Sequence, residues 1–321
     1  MTGLIPLLIG FALLFIGGEC LVRGSTSLAI RFGLPPLIAG LTIVSFGTSS
    51  PELMVSVQAA LDGNAGISLG NIVGSNICNI GLILGVCAMV RPMTVNRQMV
   101  QFDIPMMVGV SVLLAVLLSF WELSRGVSLV FVAGLVIYLW GSFRVSKKDQ
   151  GDDVLKEVKD TALVSRSGLL LAWGMTIGGI FLLFYGSSFI INGATTIAKY
   201  FGINDTVIGL TIVAIGTSLP ELATTLVAAL KKNFDIALGN VVGSNIFNTL
   251  GVLGIVGVIR PFSENHVGWV SVVVMLVLSV ALLPLVRKKA HLSRWAGLLF
   301  VTMYIGYLFY LYTYPNQGGL G

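Results

Sequence analysis

Residues 42–53 read TIVSFGTSSPEL, five hydroxyl side chains, a proline and a carboxylate within an apolar run. The phrase returns at 211–222 as TIVAIGTSLPEL. A proline in a helix interior removes one i→i−4 hydrogen bond and crowds the carbonyl it should have met. Pro51 therefore leaves the carbonyl of Gly47 without that donor, and Pro220 leaves that of Gly216. Each copy predicts a broken helix with main-chain carbonyls, the hydroxyls of Thr48 and Ser49 (Thr217 and Ser218), and a carboxylate just beyond, Glu52 or Glu221. All are oxygen ligands, the set that hard cations such as Ca²⁺ and Na⁺ take. A carboxylate at membrane depth is costly and reads as functional by default.

A second motif is also doubled. GNIVGSNICN spans 70–79 and GNVVGSNIFN spans 239–248. Ser75 and Asn79 lie at i, i+4 on one helical face, as do Ser244 and Asn248, and add neutral oxygens. Gly70, Gly74, Gly239 and Gly243 are expected to permit close backbone approach. Asn71 and Asn240 divide evenly between packing and ligation. Glu19, four residues before Arg23, reads as half of an interfacial ion pair, and Asp103, which has no mate in the second half, as a residue near an interface. Asp149, Asp152 and Asp153 lack the glycine and terminal glutamate of an EF-hand loop.

The elements that carry these residues follow from composition. Only 10% of the 321 residues are charged and 55% are hydrophobic, where a soluble domain carries about a quarter charged. Mean hydropathy is +0.94. The fold class is an all-α polytopic membrane protein. Apolar segments centred near 12, 45, 78, 109, 133, 178, 216, 247, 275 and 304 give ten expected spans. The first has no basic region before it and reads as a retained helix. With this layout, sixteen of the nineteen Lys and Arg residues fall on one side and only Arg125, Lys199 and Arg260 on the other. The positive-inside rule then puts both termini outside the cytoplasm. Basic residues punctuate apolar runs and form no stripe, which argues against nucleic acid. Cys20, Cys78 and Cys87 all lie in apolar segments as small core residues, and His266 and His291 stand at segment ends.

A shift of 169 residues aligns the two halves without a gap. Gly40–Leu53 and Gly209–Leu222 share 11 of 14 residues, and Gly70–Gly81 and Gly239–Leu250 share 8 of 12. Five spans per half is odd, so the second half is expected to enter the membrane inverted, the architecture of many secondary transporters. The expected organisation is a first repeat over 1–143, a cytoplasmic linker over 144–166, and an inverted second repeat over 167–321.

On these doubled motifs, G-T-S-x-P-E at Gly47–Glu52 and Gly216–Glu221 and G-N-x-x-G-S-N at Gly70–Asn76 and Gly239–Asn245, the chain resembles the calcium/cation antiporter superfamily. Within it, the chain is similar to the prokaryotic sodium/calcium exchanger branch, whereas the cation/proton branch favours a different motif. The resemblance implies an antiporter of the cell membrane, with Ca²⁺ and Na⁺ as substrates, no cofactor and no enzymatic activity. It implies four adjacent ion positions. Glu52 and Glu221 would bind Ca²⁺ and share in Na⁺ binding, and oxygens of Thr48 and Thr217 would complete the calcium shell. Ser49, Ser75, Ser218 and Ser244, with carbonyls of Ser45 and Ala214, would line the Na⁺ positions, and Asn79 matches a polar position of the family. Ser45 departs from a common alanine, and Asn248 stands where many members carry aspartate. The second departure leaves K⁺ dependence open beside plain Na⁺/Ca²⁺ exchange. Two protons would also neutralise the acid pair, so Ca²⁺/H⁺ exchange stays open too. An intramembrane enzyme would need a nucleophile–base pair or a histidine metal site beside the acids, and neither motif occurs. An inverted repeat around an occluded acidic site favours alternating access over a channel.

Overall fold

The computed structural model describes residues 3–120, 123–149, 166–201, 214–261, 268–287 and 290–314. The chain runs through α1 (Leu4–Arg31), α2 (Pro36–Thr48), α3 (Ser50–Leu61), α4 (Ala65–Val90), α5 (Met99–Ser119) and α6 (Arg125–Asp149). It continues through α7 (Arg166–Tyr200), α8 (Ala214–Thr217), α9 (Leu219–Leu230), α10 (Phe234–Ile259), α11 (Trp269–Arg287) and α12 (Arg294–Thr313). Among the described residues, eight of these helices are long and apolar enough to cross a bilayer. The α2–α3 pair, bent by 44°, makes a ninth candidate. The span expected near 216 is described only from Ala214 onward, as α8 and α9, because 202–213 lie outside the described residues. Of the expected linker, 150–165 lie outside the described residues. Its first residues continue α6 to Asp149, since Arg144–Asp149 holds no helix breaker, and α7 begins at Arg166. Asp152, Asp153, Gly202 and His266 also lie outside the described residues.

The chain packs as two compact units, residues 1–49 with 150–240, and residues 50–149 with 241–321. Each draws on both halves of the sequence. The chain changes unit three times, and two of the changes, at Ser49–Ser50 and Asn240–Val241, fall inside the doubled motifs.

The first unit is built on α1 against α7. Glycines recur every seven residues on α1, at 3, 10, 17 and 24, and on α7 at 179, 186 and 193. A seven-residue spacing keeps them on one face. A Cβ at Gly10 would lie 2.8 Å from the carbonyl oxygen of Gly186, and one at Gly17 would lie 3.0 Å from that of Gly179. The two backbones are thus in contact, the usual way for helices to associate without a hydrophobic driving force. Gly239 approaches Gly40 similarly, with a Cβ placed 3.1 Å from the Gly40 Cα. The opposite faces of α1 and α7 leave Phe11, Phe15, Leu170 and Phe181 exposed, as bilayer-facing helices do.

In the second unit, α4 is largely buried, as is α10, whereas α6 is mostly exposed. α12 packs on α4 where Gly85 meets Gly297, and α6 packs on the second half of α10 where Gly254 meets Ser128. A short antiparallel pair, β1 (Met93–Thr94) with β2 (His291–Leu292), ties two connections. Asp103 is fully buried. Its Oδ1 accepts from Tyr138 and Ser142 hydroxyls, both at 3.0 Å, so protein rather than an aqueous interface surrounds it.

Gly74 differs from expectation. Among the described residues, a Cβ there would meet nothing within 4 Å, so no close backbone approach among them explains that glycine.

Candidate functional site

The first unit holds Ser45, Thr48, Ser49, Thr217, Ser218 and Glu221. Both broken helices break at the same place. Ser49 has φ −85°, ψ 7° and Ser218 has φ −88°, ψ 6°. This bridge-region conformation halts one helix, and the next begins at once. Pro220 then stands in the first turn of α9, where a missing N–H costs nothing. The proline starts the new helix as much as it breaks the old one. The break also puts Glu221 in the first turn of α9, where the positive end of the helix dipole favours a carboxylate. Gly47 and Gly216 precede the break because a Cβ would fall 2.7 Å from Ile180 Cδ1 and 2.3 Å from Ile191 Cγ1 respectively.

Glu221 is 0% exposed. Ser49 Oγ donates to its Oε1 at 2.9 Å, while its Oε2 is buried without a hydrogen-bond partner. Among the described residues, the salt bridges are those of Glu19, with Arg23 and Lys231, so no cation pairs with Glu221. A buried, uncompensated carboxylate is expensive unless a cation arrives. Thr48 Oγ1 donates to Asn240 Oδ1 at 3.0 Å, and Ser45 Oγ donates to the Gly40 carbonyl at 2.6 Å. The carbonyl of Ser45 accepts from the Ser49 N–H at 2.9 Å and, at the longer distance of 3.4 Å, from Thr48 Oγ1. Ala214 is described by its backbone alone, as the first residue of α8.

The second unit holds Glu52, Ser75, Asn79, Ser244 and Asn248. Glu52 is 1% exposed and opens the first turn of α3 as Glu221 does that of α9. Asn79 and Asn248 fall in π-helical stretches, Asn79–Leu84 and Phe247–Val252, where the widened turn turns carbonyls and side chains out of α-register. Such stretches are frequent at functional sites. Asn79 Oδ1, Asn248 Oδ1 and Ser244 Oγ are buried without hydrogen-bond partners. Ser75 is also buried.

Two further asparagines prove structural, and the sequence motifs alone did not separate them from ligands. Asn71 Nδ2 donates to the main-chain carbonyl of Glu52 at 3.2 Å and to Ser56 Oγ at 2.9 Å. Asn240 Nδ2 does the same to the Glu221 carbonyl at 3.4 Å and Thr225 Oγ1 at 2.9 Å. Each fastens the helix start that carries a glutamate. The available signal was the hydroxyl four residues after each glutamate, Ser56 and Thr225. Asn76 was not singled out as a site residue either. Its amide donates to Thr249 Oγ1 at 3.0 Å and its oxygen accepts from Asn248 Nδ2 at 3.3 Å, which sets the orientation of Asn248.

Each unit thus carries one buried carboxylate on a fresh helix start, with hydroxyl and amide oxygens beside it and bare oxygens left over. The sodium/calcium exchanger protein family profile matches residues 2–144 and 171–313. The inner membrane protein YrbG of Escherichia coli is 36% identical over 311 residues, 95% of each chain. The sodium/calcium exchanger MaX1 of Methanosarcina acetivorans is 33% identical, over 95% of this chain and 97% of its own. The solved structure of a sodium/calcium exchanger from Methanococcus jannaschii is similar with a TM-score of 0.81 and 31% identity, over 94% of this chain and 96% of that one. With two matched segments that cover most of its length, this integral membrane chain belongs to the sodium/calcium exchanger family.

Proposed function

We propose that the chain exchanges Na⁺ for Ca²⁺ across the membrane by alternating access, with Glu52 and Glu221 as the carboxylates that serve the divalent ion. One observation carries the reading: Glu221 is wholly buried, accepts a hydroxyl from Ser49, and leaves Oε2 bare, with no cation paired to it among the described residues. A carboxylate so placed calls for a cation that comes and goes. The doubled motif supports the same role for Glu52. Oxygens of Thr48 and Thr217 complete the calcium shell. Ser49, Ser75, Ser218, Ser244, Asn79 and Asn248, with the carbonyls of Ser45 and Ala214, supply neutral oxygens for Na⁺.

Two carboxylates give the empty site a charge of about −2; one Ca²⁺ cancels it, and three Na⁺ leave about +1. Exchange at that ratio moves one net charge per cycle and is electrogenic. The proposed frame is ten spans in two inverted repeats, residues 1–143 and 167–321, joined by a cytoplasmic linker, with both termini outside the cytoplasm. The bilayer is then the one large partner the chain needs, and the chemistry is transport rather than catalysis.

The test is Ca²⁺ uptake into proteoliposomes under imposed Na⁺, H⁺ or K⁺ gradients. An outward-directed Na⁺ gradient should drive uptake, and a K⁺ ionophore that clamps the potential should speed it. Uptake driven by a pH gradient and indifferent to Na⁺ would assign the chain to Ca²⁺/H⁺ exchange. An absolute need for K⁺ would assign it to the K⁺-dependent class.

A further inference from the structure

A second charged feature of the first unit lies apart from the ion-binding residues. The C-terminal half of α1 and the turn after α9 enclose a cavity of about 570 Å³, lined by Val22, Arg23, Thr26, Ile30, Arg31 and Lys231, among others. Three of these six are cations. Glu19 is shared by Arg23 and Lys231, so among the residues that line the cleft and this acid the charge is positive. Arg31 is steadied by its Nε donating to Ser27 Oγ at 3.3 Å, which presents the rest of the guanidinium to the cleft.

The repeat shows that the fold does not require this chemistry. A matching groove of about 540 Å³ lies at the other end of the α1–α7 pair, lined by Gly3, Leu4, Thr196, Lys199, Tyr200 and Phe201. Shifted by 169 residues, Arg31 becomes Tyr200 and Ile30 becomes Lys199, both in that groove, while Arg23 becomes Asn192 and Lys231 becomes Asp62, which do not line it, so the groove holds one cation where the cleft holds three. The turn next to the cleft adds a further sign. Lys232 holds φ 65°, a left-handed conformation that suits glycine, and its mate is Gly63 with φ 86°. A lysine there carries a conformational cost that glycine does not.

Large apolar side chains are exposed beside the cations: Ile30 at 37%, Phe32 at 55% and Leu230 at 47%. Cations at the rim of an exposed apolar surface fit a ligand with an anionic head and an apolar body. Basic pockets between membrane helices take such headgroups, and the arginine fork matches phosphate oxygens. We propose that this cleft binds the phosphate headgroup of an anionic lipid, with Arg31, Arg23 and Lys231 as its cationic ligands and the acyl chains along Ile30, Phe32 and Leu230. The proposal does not depend on the exchange reaction or on which side of the membrane the cleft faces.

The test uses the full chain in nanodiscs of phosphatidylcholine, with phosphatidylglycerol added in steps, read by thermal unfolding and by the lipid retained in native mass spectrometry. Phosphatidylglycerol should raise the unfolding temperature of the parent. Arg31→Gln should weaken the apparent affinity about fivefold, the worth of one basic residue at an anionic surface. Arg31→Lys, which keeps the charge, should lose less. Lys199→Gln, in the matching groove, should behave as the parent. Equal phosphatidylglycerol dependence in parent and Arg31→Gln would overturn the proposal. So would an equal shift produced by inorganic phosphate in pure phosphatidylcholine discs, which would mark a site for free anions.

Discussion

Replacing Glu221 by Gln removes one charge and little else. The side chain keeps its size, and its Oε1 can still accept from Ser49, now at 2.9 Å. Two unit charges about 4 Å apart at an effective dielectric near 20 attract by about 4 kcal/mol, so a carboxylate and a divalent ion attract by about 8. Desolvation offsets most of this. If a quarter survives, the loss is about 2 kcal/mol, or roughly thirtyfold in Ca²⁺ affinity. A monovalent ion loses half as much, so Na⁺ affinity should fall by about fivefold. Stability should move the other way. Glu221 is fully buried with Oε2 bare, and neutralising an uncompensated buried charge relieves the empty protein. The ion-free variant should therefore unfold at or above the parent's temperature, while its stabilisation by Ca²⁺ largely disappears. Initial Ca²⁺ uptake in proteoliposomes and thermal unfolding with and without Ca²⁺ measure both. Uptake within about twofold of the parent, or an unchanged Ca²⁺-induced shift, would refute the role given to Glu221.

Four further outcomes are expected. Asn240→Ala removes the acceptor of Thr48 and the donor to Thr225 and the Glu221 carbonyl. Orphaned buried groups cost about 1–3 kcal/mol each, so the unfolding temperature and the uptake rate should both fall. Asn71→Ala should do the same through Glu52 and Ser56. Gly10→Val would push a Cβ to 2.6 Å from Ile190 Cγ1 and 2.8 Å from the Gly186 carbonyl; folded yield in detergent should drop sharply, whereas Gly174→Ala, with nothing within 4 Å, should not change it. Asn248→Asp replaces the amide that donates to Asn76 with a third acid in the proposed ion-binding set. Normalised Ca²⁺ uptake between about pH 6 and 8 should then depend more steeply on pH than in the parent; superimposable profiles would remove Asn248 from the ligand set.

The sequence alone was enough to find the doubled motifs, because chemistry that must occur twice leaves the same letters twice. Glu52 and Glu221 stand out since a carboxylate amid apolar residues has no cheap structural use. The helix breaks were legible for a related reason, as a proline in an apolar run announces one. Where each break falls was a matter of the backbone: Ser49 and Ser218 take the non-helical conformation, and the proline beyond them starts a new helix. The glycines at 3, 10, 17, 24, 179, 186 and 193 carried a readable spacing of seven, yet a stripe of glycines does not name the surface it meets. Only packing showed that the two stripes face each other.

The 169-residue repeat divides the sequence into two consecutive halves; the compact units are a different division, each with segments of both halves, because contacts form between distant segments and repeats follow chain order. The roles of the asparagines were decided in the same way. Asn71, Asn76, Asn79, Asn240 and Asn248 are one residue type in one pair of motifs. An amide becomes a clamp or a bare oxygen according to the partners within 3–3.5 Å of it, as Asn240 has Thr48, Thr225 and the Glu221 carbonyl, while Asn79 Oδ1 has none. Residue type sets what a group can donate or accept; which of those options is used depends on neighbours that tertiary structure brings from far along the chain.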